Sequence, residues 1–218
     1  MKKIYVSSNA GEPMKRHLLD RGYMPVMISG TPFVQKEIST HPDIYMCKMG
    51  TEDSSPVFRG IPEKLGCRYP EDIIYNAACT GKYFMHNLEY TDPSLLKTAV
   101  KMDMEPVNIP QGYGKCSIVV VDENSVITSD RGIYAAASAG GPECLLVSPG
   151  HIKLPGYRYG FIGGASGRAG REILFNGALN RHPDFEKICR FIRSRDLEPV
   201  WFPEYELEDT GSVITFEE

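Results

Sequence analysis

No apolar run in the 218-residue chain approaches the ~20 residues needed to cross a bilayer. The longest, Ile118 to Val121 and Cys144 to Val147, are far shorter. Met1-Lys2-Lys3 leads at once into Ile4-Tyr5-Val6-Ser7-Ser8, too brief for the apolar region of a secretory leader. A cytoplasmic chain with no membrane partner is therefore expected. Basic charge is not in excess either: 24 Lys and Arg stand against 28 Asp and Glu, a net charge of −4. That argues against nucleic-acid binding through a concentrated cationic surface. None of the six cysteines forms a C-x-x-C pair, and no His/Cys/Asp group has zinc-ligand spacing. Free thiols are expected, with no metal and no cofactor. Neither the phosphate-loop spacing G-x-x-x-x-G-K-[ST] nor the nucleophile elbow G-x-S-x-G occurs.

What is present is globular composition, 42% apolar and 24% charged with 21 Gly and 16 Pro, which excludes a disordered tail or a fibrous repeat. A chain of this length buries about 70% of its unfolded surface, so a single domain over residues 1–218 is expected. A repeat organises it. Met24-Pro25-Val26-Met27-Ile28, Glu105-Pro106-Val107-Asn108-Ile109 and Glu198-Pro199-Val200-Trp201-Phe202 are short strands opening with proline. Each follows a helical pattern, over Glu12 to Arg21, Pro93 to Asp103 and Asp184 to Asp196. The intervals between these prolines are each about twice a 20–50-residue repeat, so two further units are needed. Strands at Ile73 to Asn76 and Leu145 to Pro149 supply them, the latter after a helix over Gly132 to Ala139.

Further strands follow within the units: Ile44 to Met49 with Val57 to Arg59, Lys82 to His86, Cys116 to Val121 with Val126 to Ser129, Tyr159 to Gly163 with Ile173 to Phe175, and Ser212 to Phe216. The last unit runs out of chain, while Lys3 to Val6 has no unit before it. The N-terminal strand is predicted to complete the last unit and close a ring, which protects the sheet edges.

The arrangement, with His41-Pro42-Asp43, Tyr69-Pro70-Glu71-Asp72-Ile73, Gln111-Gly112-Tyr113-Gly114-Lys115-Cys116-Ser117, Thr128-Ser129-Asp130-Arg131-Gly132-Ile133, Gly160-Phe161-Ile162-Gly163-Gly164 and Asp209-Thr210-Gly211-Ser212-Val213, resembles the pentein fold. That is the five-unit, pseudo-symmetric α/β propeller of the guanidine-modifying enzymes: arginine and agmatine deiminases, dimethylarginine hydrolases and amidinotransferases. In detail the chain looks closer to an uncharacterised bacterial family within that superfamily. The resemblance implies a site on the ring axis, where His41, Asp43, Cys116, Ser117, Gly163, Gly164, Asp209 and Ser212 would meet. It also implies attack by a cysteine thiolate on an amidinium carbon, assisted by a histidine, with carboxylates holding the cation.

Cys116 is the candidate nucleophile, with Lys115 beside it; the bland reading is a core thiol ahead of the apolar run Ile118 to Val121. His41 and Asp43, two apart, share one face of a strand and could act as base and anchor, or simply as a local turn. Asp209 is the carboxylate expected to point inward, with Ser117 and Arg168 as further substrate contacts. Arg168 is placed at the tip of a hairpin between Tyr159 to Gly163 and Ile173 to Phe175, where it could clamp a carboxylate. The chain departs from the family at its end. The superfamily nucleophile sits in the final unit, which here reads Glu208-Asp209-Thr210-Gly211-Ser212, and no cysteine follows Cys189. Two functions stay open: a thiol-dependent hydrolase or transferase for a small guanidino, amidino or amino-acid-like substrate, and a non-catalytic binding protein on the same scaffold.

Overall fold

A proline cannot donate to a ladder, so strands with proline as second residue belong at sheet edges. The computed structural model, which describes residues 2–217, has all three there. Along the chain, β1 (Lys2–Ser7) passes through α1 (Glu12–Asp20) to β2 (Met24–Ile28). A single helical turn, α2 (Pro42–Tyr45), opens β3 (Met46–Lys48), which pairs with β4 (Val57–Arg59). Next come β5 (Ala78–Cys79), β6 (Tyr83–His86), α3 (Pro93–Lys101) and β7 (Glu105–Asn108). A second single turn, α4 (Gly114–Ser117), opens β8 (Ile118–Asp122), followed by β9 (Ser125–Thr128), α5 (Arg131–Ser138) and β10 (Glu143–Leu146). The chain continues as β11 (Ser166–Ala169), β12 (Glu172–Phe175), α6 (Phe185–Arg193), β13 (Glu198–Trp201) and β14 (Ile214–Glu217).

These strands make a mixed α/β structure of five small sheets: β14-β1-β2, β3-β4, β5-β6-β7, β8-β9-β10 and β11-β12-β13. The four three-stranded sheets share one plan, an antiparallel pair followed by a helix and a third strand parallel to the second. Pairing on both sides leaves the middle strands buried, and β6 and β9 have no exposed residue. β2, β7 and β13 pair on one side only, so Pro25, Pro106 and Pro199 direct their missing donor away from the ladder. Helix starts follow the sequence: Asp92 caps α3 by accepting from the Ser94 and Leu95 amides, and Asp130 caps α5 through Gly132 and Ile133. Ile188, Cys189 and Ile192 form the buried stripe of α6. Among the described residues no helix is long and apolar enough to cross a membrane.

The N-terminal strand does pair with the C-terminal one, Ile4 opposite Thr215. The grouping differs from the sequence reading, because the proline-led strand ends a unit rather than opening it. A chain that leaves a strand through a helix returns parallel to that same strand. Thus Glu198–Trp201 pairs with β12, and the sheet holding both chain ends takes Met24–Ile28 as its edge. Ile73 to Asn76 is not a strand. It is a run of turns whose side chains are largely buried, so its apolarity reports core packing and not alternation. The Glu63 to Gly66 region holds only the 3-10 turn Pro62–Lys64, and the β3-β4 sheet has no third strand. Tyr159 to Gly163 is also irregular, because Gly163 lies so close to the chain at α4 that a Cβ would stand 2.3 Å from the Lys115 carbonyl oxygen.

His86, at the end of β6, is buried between Thr91 Oγ1 at 2.7 Å and the Gly112 carbonyl at 3.0 Å, fastening the loop that leads into α4. Burial lowers its pKa from 6.5 to about 4. Between those values the unfolded chain takes up a proton that the folded chain refuses, so stability falls as pH drops through this window, by about 3 kcal/mol. In urea unfolding measured above pH 6.5 and again near pH 4, His86→Gln should lose that share of the acid sensitivity. An identical pH dependence in both proteins would mean that His86 does not carry it.

Candidate functional site

The first strand of each antiparallel pair is entered through a turn, and the residue two or three before the strand is buried: Asp43 before β3, Asn76 before β5, Cys116 before β8, Gly164 before β11 and Ser212 before β14. Hydrogen bonds join these turns to one another. Asn76 Nδ2 donates to the Asp43 carbonyl at 2.9 Å and to Cys116 Sγ at 3.3 Å, while Asn76 Oδ1 accepts from the Cys116 amide at 3.1 Å. Asp43 Oδ2 accepts from the Ser212 amide at 2.9 Å, from Ser212 Oγ at 2.5 Å and from Cys116 Sγ at 3.4 Å. The Gly164 amide donates to the Cys116 carbonyl at 2.7 Å. Tyr113, the residue before α4, is anchored by its hydroxyl on Asp72 Oδ2 at 2.7 Å.

His41 precedes α2 and Asp43 lies within it, so a helical turn, not strand alternation, brings the two together. Gly211 makes this possible from the opposite segment. Its φ is +81°, and a Cβ there would sit 2.5 Å from His41 Cα. His41 Nδ1 is 3.7 Å from Asp209 Oδ1, and neither it nor Asp43 Oδ1 has a hydrogen-bond partner, although both are buried. One ligand atom from each of His41, Asp43 and Cys116 lies within 4.8 Å of the other two. Asp209 is buried as expected; its carboxylate accepts from the Phe161 amide at 2.9 Å and the Gly211 amide at 3.1 Å.

Burial opposes charge throughout. It pushes the Cys116 thiol well above its ordinary pKa, helped by the negative charges of Asp43 and Asp209, so the free site holds a thiol and not a thiolate. It raises the Asp209 carboxyl, with His41 acting against the rise. It lowers Lys115, which Asp43 partly restores. The Lys115 ammonium reaches Ser212 Oγ at 2.8 Å and the Ile118 carbonyl at 3.2 Å, and is thereby committed elsewhere than Cys116.

A cavity of about 420 Å³ opens beside His41 and Asp209, with Glu37, Glu208 and Lys36 as its other charged lining. The remaining sequence candidates lie elsewhere. Ser117 Oγ is buried without a partner, and like Asp43 and Cys116 it does not line this cavity, which His41 and Asp209 reach. Arg168 is inside β11 and not at a hairpin tip: it donates to the Gly170 and Val121 carbonyls and pairs with Glu52. Its donors thus grip a carboxylate of the chain itself, beside a separate cavity of about 30 Å³ that it lines with Lys48 and Lys115. The residue that sequence reasoning missed is Asn76, hidden because Ile73 to Asn76 looks like a strand. Its signal is positional, since Asn76, Cys116 and Ser212 each stand two residues ahead of a strand.

A model described as "Family of unknown function (DUF6873)" matches residues 57–214, most of the chain, and the chain belongs to that family. The match includes Asn76, Cys116, Asp209 and Ser212 and begins after His41 and Asp43. No curated protein and no solved structure matches.

Removing the Asp43 carboxylate leaves the buried Ser212 amide without its acceptor, so Asp43→Ala should lower the unfolding free energy by roughly 2 kcal/mol in urea titration. A loss below about 1 kcal/mol would mean that the turns hold together without it.

Proposed function

We propose that this member of the DUF6873 family is a pentein-type α/β propeller, its five sheets being the blades, and that the site among their turns acts on a small guanidino, amidino or amino-acid-like cation by thiol-dependent hydrolysis or group transfer. The observation that carries the chemistry is the approach of His41, Asp43 and Cys116 to within 4.8 Å of one another. The adjoining cavity supports a cationic substrate, since Glu37, Glu208 and Asp209 face it against Lys36 and His41. The shared plan of four sheets and the pairing of β1 with β14 support the propeller.

In this reading Asp43 Oδ1, buried and without a partner, accepts an N–H of the substrate cation. Burial, together with the charges of Asp43 and Asp209, holds the thiol protonated, and a bound cation offsets the two charges, so substrate moves the thiol toward the thiolate. His41 takes the thiol proton as sulfur forms a bond to the amidinium carbon, and the π electrons move to nitrogen. His41 gives a proton to the departing amine as the carbon–nitrogen bond breaks. Water, losing its proton to His41, attacks the same carbon and releases the thiolate. Cys116 thus stands in for the final-unit cysteine of the enzymes the chain resembles, and Ser212, which occupies that final segment, positions Asp43. A second reading, a cation-binding protein without catalysis, is favoured by the near-complete burial of Cys116.

Charge dependence of thiol labelling separates them. Chloroacetamidine, a cation, and neutral chloroacetamide both lose chloride to a thiolate, and peptide mass spectrometry locates the adduct. The neutral reagent should label exposed Cys67 and spare Cys116, whereas the cation should label Cys116 at least about ten-fold faster than the neutral reagent does. If neither reagent modifies Cys116, thiol chemistry is excluded and the binding reading stands.

A further inference from the structure

We infer that His41, Asp43 and Cys116 also form a binding site for one divalent transition-metal ion of the zinc type, with the fourth position left to water. This goes beyond the thiol reading and does not depend on it, because the three groups would hold a metal whether or not Cys116 ever attacks a substrate.

Geometry comes first. One donor atom from each residue lies within 4.8 Å of the others, and Cys116 Sγ is already 3.4 Å from Asp43 Oδ2. Zinc–ligand bonds of about 2.0–2.3 Å put neighbouring donors roughly 3.5 Å apart, so modest side-chain rotation completes the site. The second observation is independent of that distance. Asp43 Oδ1 and His41 Nδ1 are both buried with no hydrogen-bond partner, although buried polar atoms normally find one. Two such atoms in adjoining side chains, next to a buried thiol, leave coordination capacity that the protein does not use internally.

Donor chemistry selects the ion. Sulfur, imidazole nitrogen and carboxylate oxygen together suit Zn²⁺ or Co²⁺ and not the all-oxygen preference of Mg²⁺ or Ca²⁺. Surrounding residues already orient the donors. Asn76 donates to Cys116 Sγ, and Ser212 holds Asp43 Oδ2. On binding, the metal–sulfur bond replaces the S–H bond and the proton goes to solvent. Metal and electrophile then compete for the same sulfur.

The test uses the whole chain, stripped by a chelator and dialysed, with Zn²⁺ alone in calorimetry and Co²⁺ alone in absorption. One equivalent per chain is expected, together with a sulfur-to-cobalt charge-transfer band. The band should vanish in Cys116→Ser, binding should weaken at least about ten-fold in His41→Gln, and both should survive in Cys189→Ser. X-ray absorption on the zinc-loaded wild-type protein needs no variant, and should find one sulfur at about 2.3 Å with nitrogen or oxygen neighbours at about 2.0–2.1 Å. An all-nitrogen/oxygen shell, a band unchanged in Cys116→Ser, or no binding by the wild-type protein overturns the site. Metal binding without chloroacetamidine labelling of metal-free Cys116 leaves the metal site standing and sinks the thiol reading; labelling without metal binding does the reverse.

Discussion

The Asp43 carboxylate is the group on which the centre of this protein depends. A buried carboxylate is stable only where donors surround it, and here they come from distant parts of the chain: the amide and hydroxyl of Ser212 and the thiol of Cys116. Asn76 adds a donor to the carbonyl of the same residue. The turns before β3, β5, β8 and β14 are thereby joined through one residue and its backbone. Close approach of the segments is the geometric condition, met where Gly211 lies against His41 and Gly163 against Lys115.

The same burial that orders the site disturbs its electrostatics. Cys116 and Asp209 are pushed toward their protonated forms and Lys115 toward its neutral one, because low polarizability penalises every charge. Lys115 feels Asp43, Asp209 and the thiol, but its donors are turned to Ser212 and to carbonyl oxygens, so Asp43 and Cys116 have no direct cationic contact. A guanidinium and a divalent metal answer that same deficit, which is why one cluster supports both proposals. Arg168 illustrates the contrasting case: its charge is met by Glu52 and two carbonyls, so it is a brace between strands and takes no part in the cluster.

Much of the fold was legible because it depends on local rules. Proline-led strands behind helical patterns were read as strands, and β2, β7 and β13, which carry Pro25, Pro106 and Pro199, are strands at sheet edges. The helices over α1, α3, α5 and α6 were read to within a few residues from capping and periodicity. Errors arose where tertiary contact replaced periodicity. Ile73 to Asn76 is apolar through burial and not strand alternation, and Tyr159 to Gly163 is shaped by close passage against Lys115 and Ile118. Unit boundaries were displaced because proline marks a strand edge without saying which neighbour fills the other side.

By itself, the sequence determined the strand–helix alternation, the edge strands, the helix caps and the residue types from which a site could be made, since these follow from backbone donors and side-chain periodicity within short windows. Tertiary structure alone decided which of them meet. It brought His41, Asp43 and Cys116 to within 4.8 Å, recruited Asn76, and turned Arg168 to Glu52 and two carbonyls instead. It also decided between the two readings of Cys116 in favour of a buried thiol, because a thiol's acidity depends on burial and on the charges around it, here Asp43 and Asp209, and not on the lysine next to it in the chain.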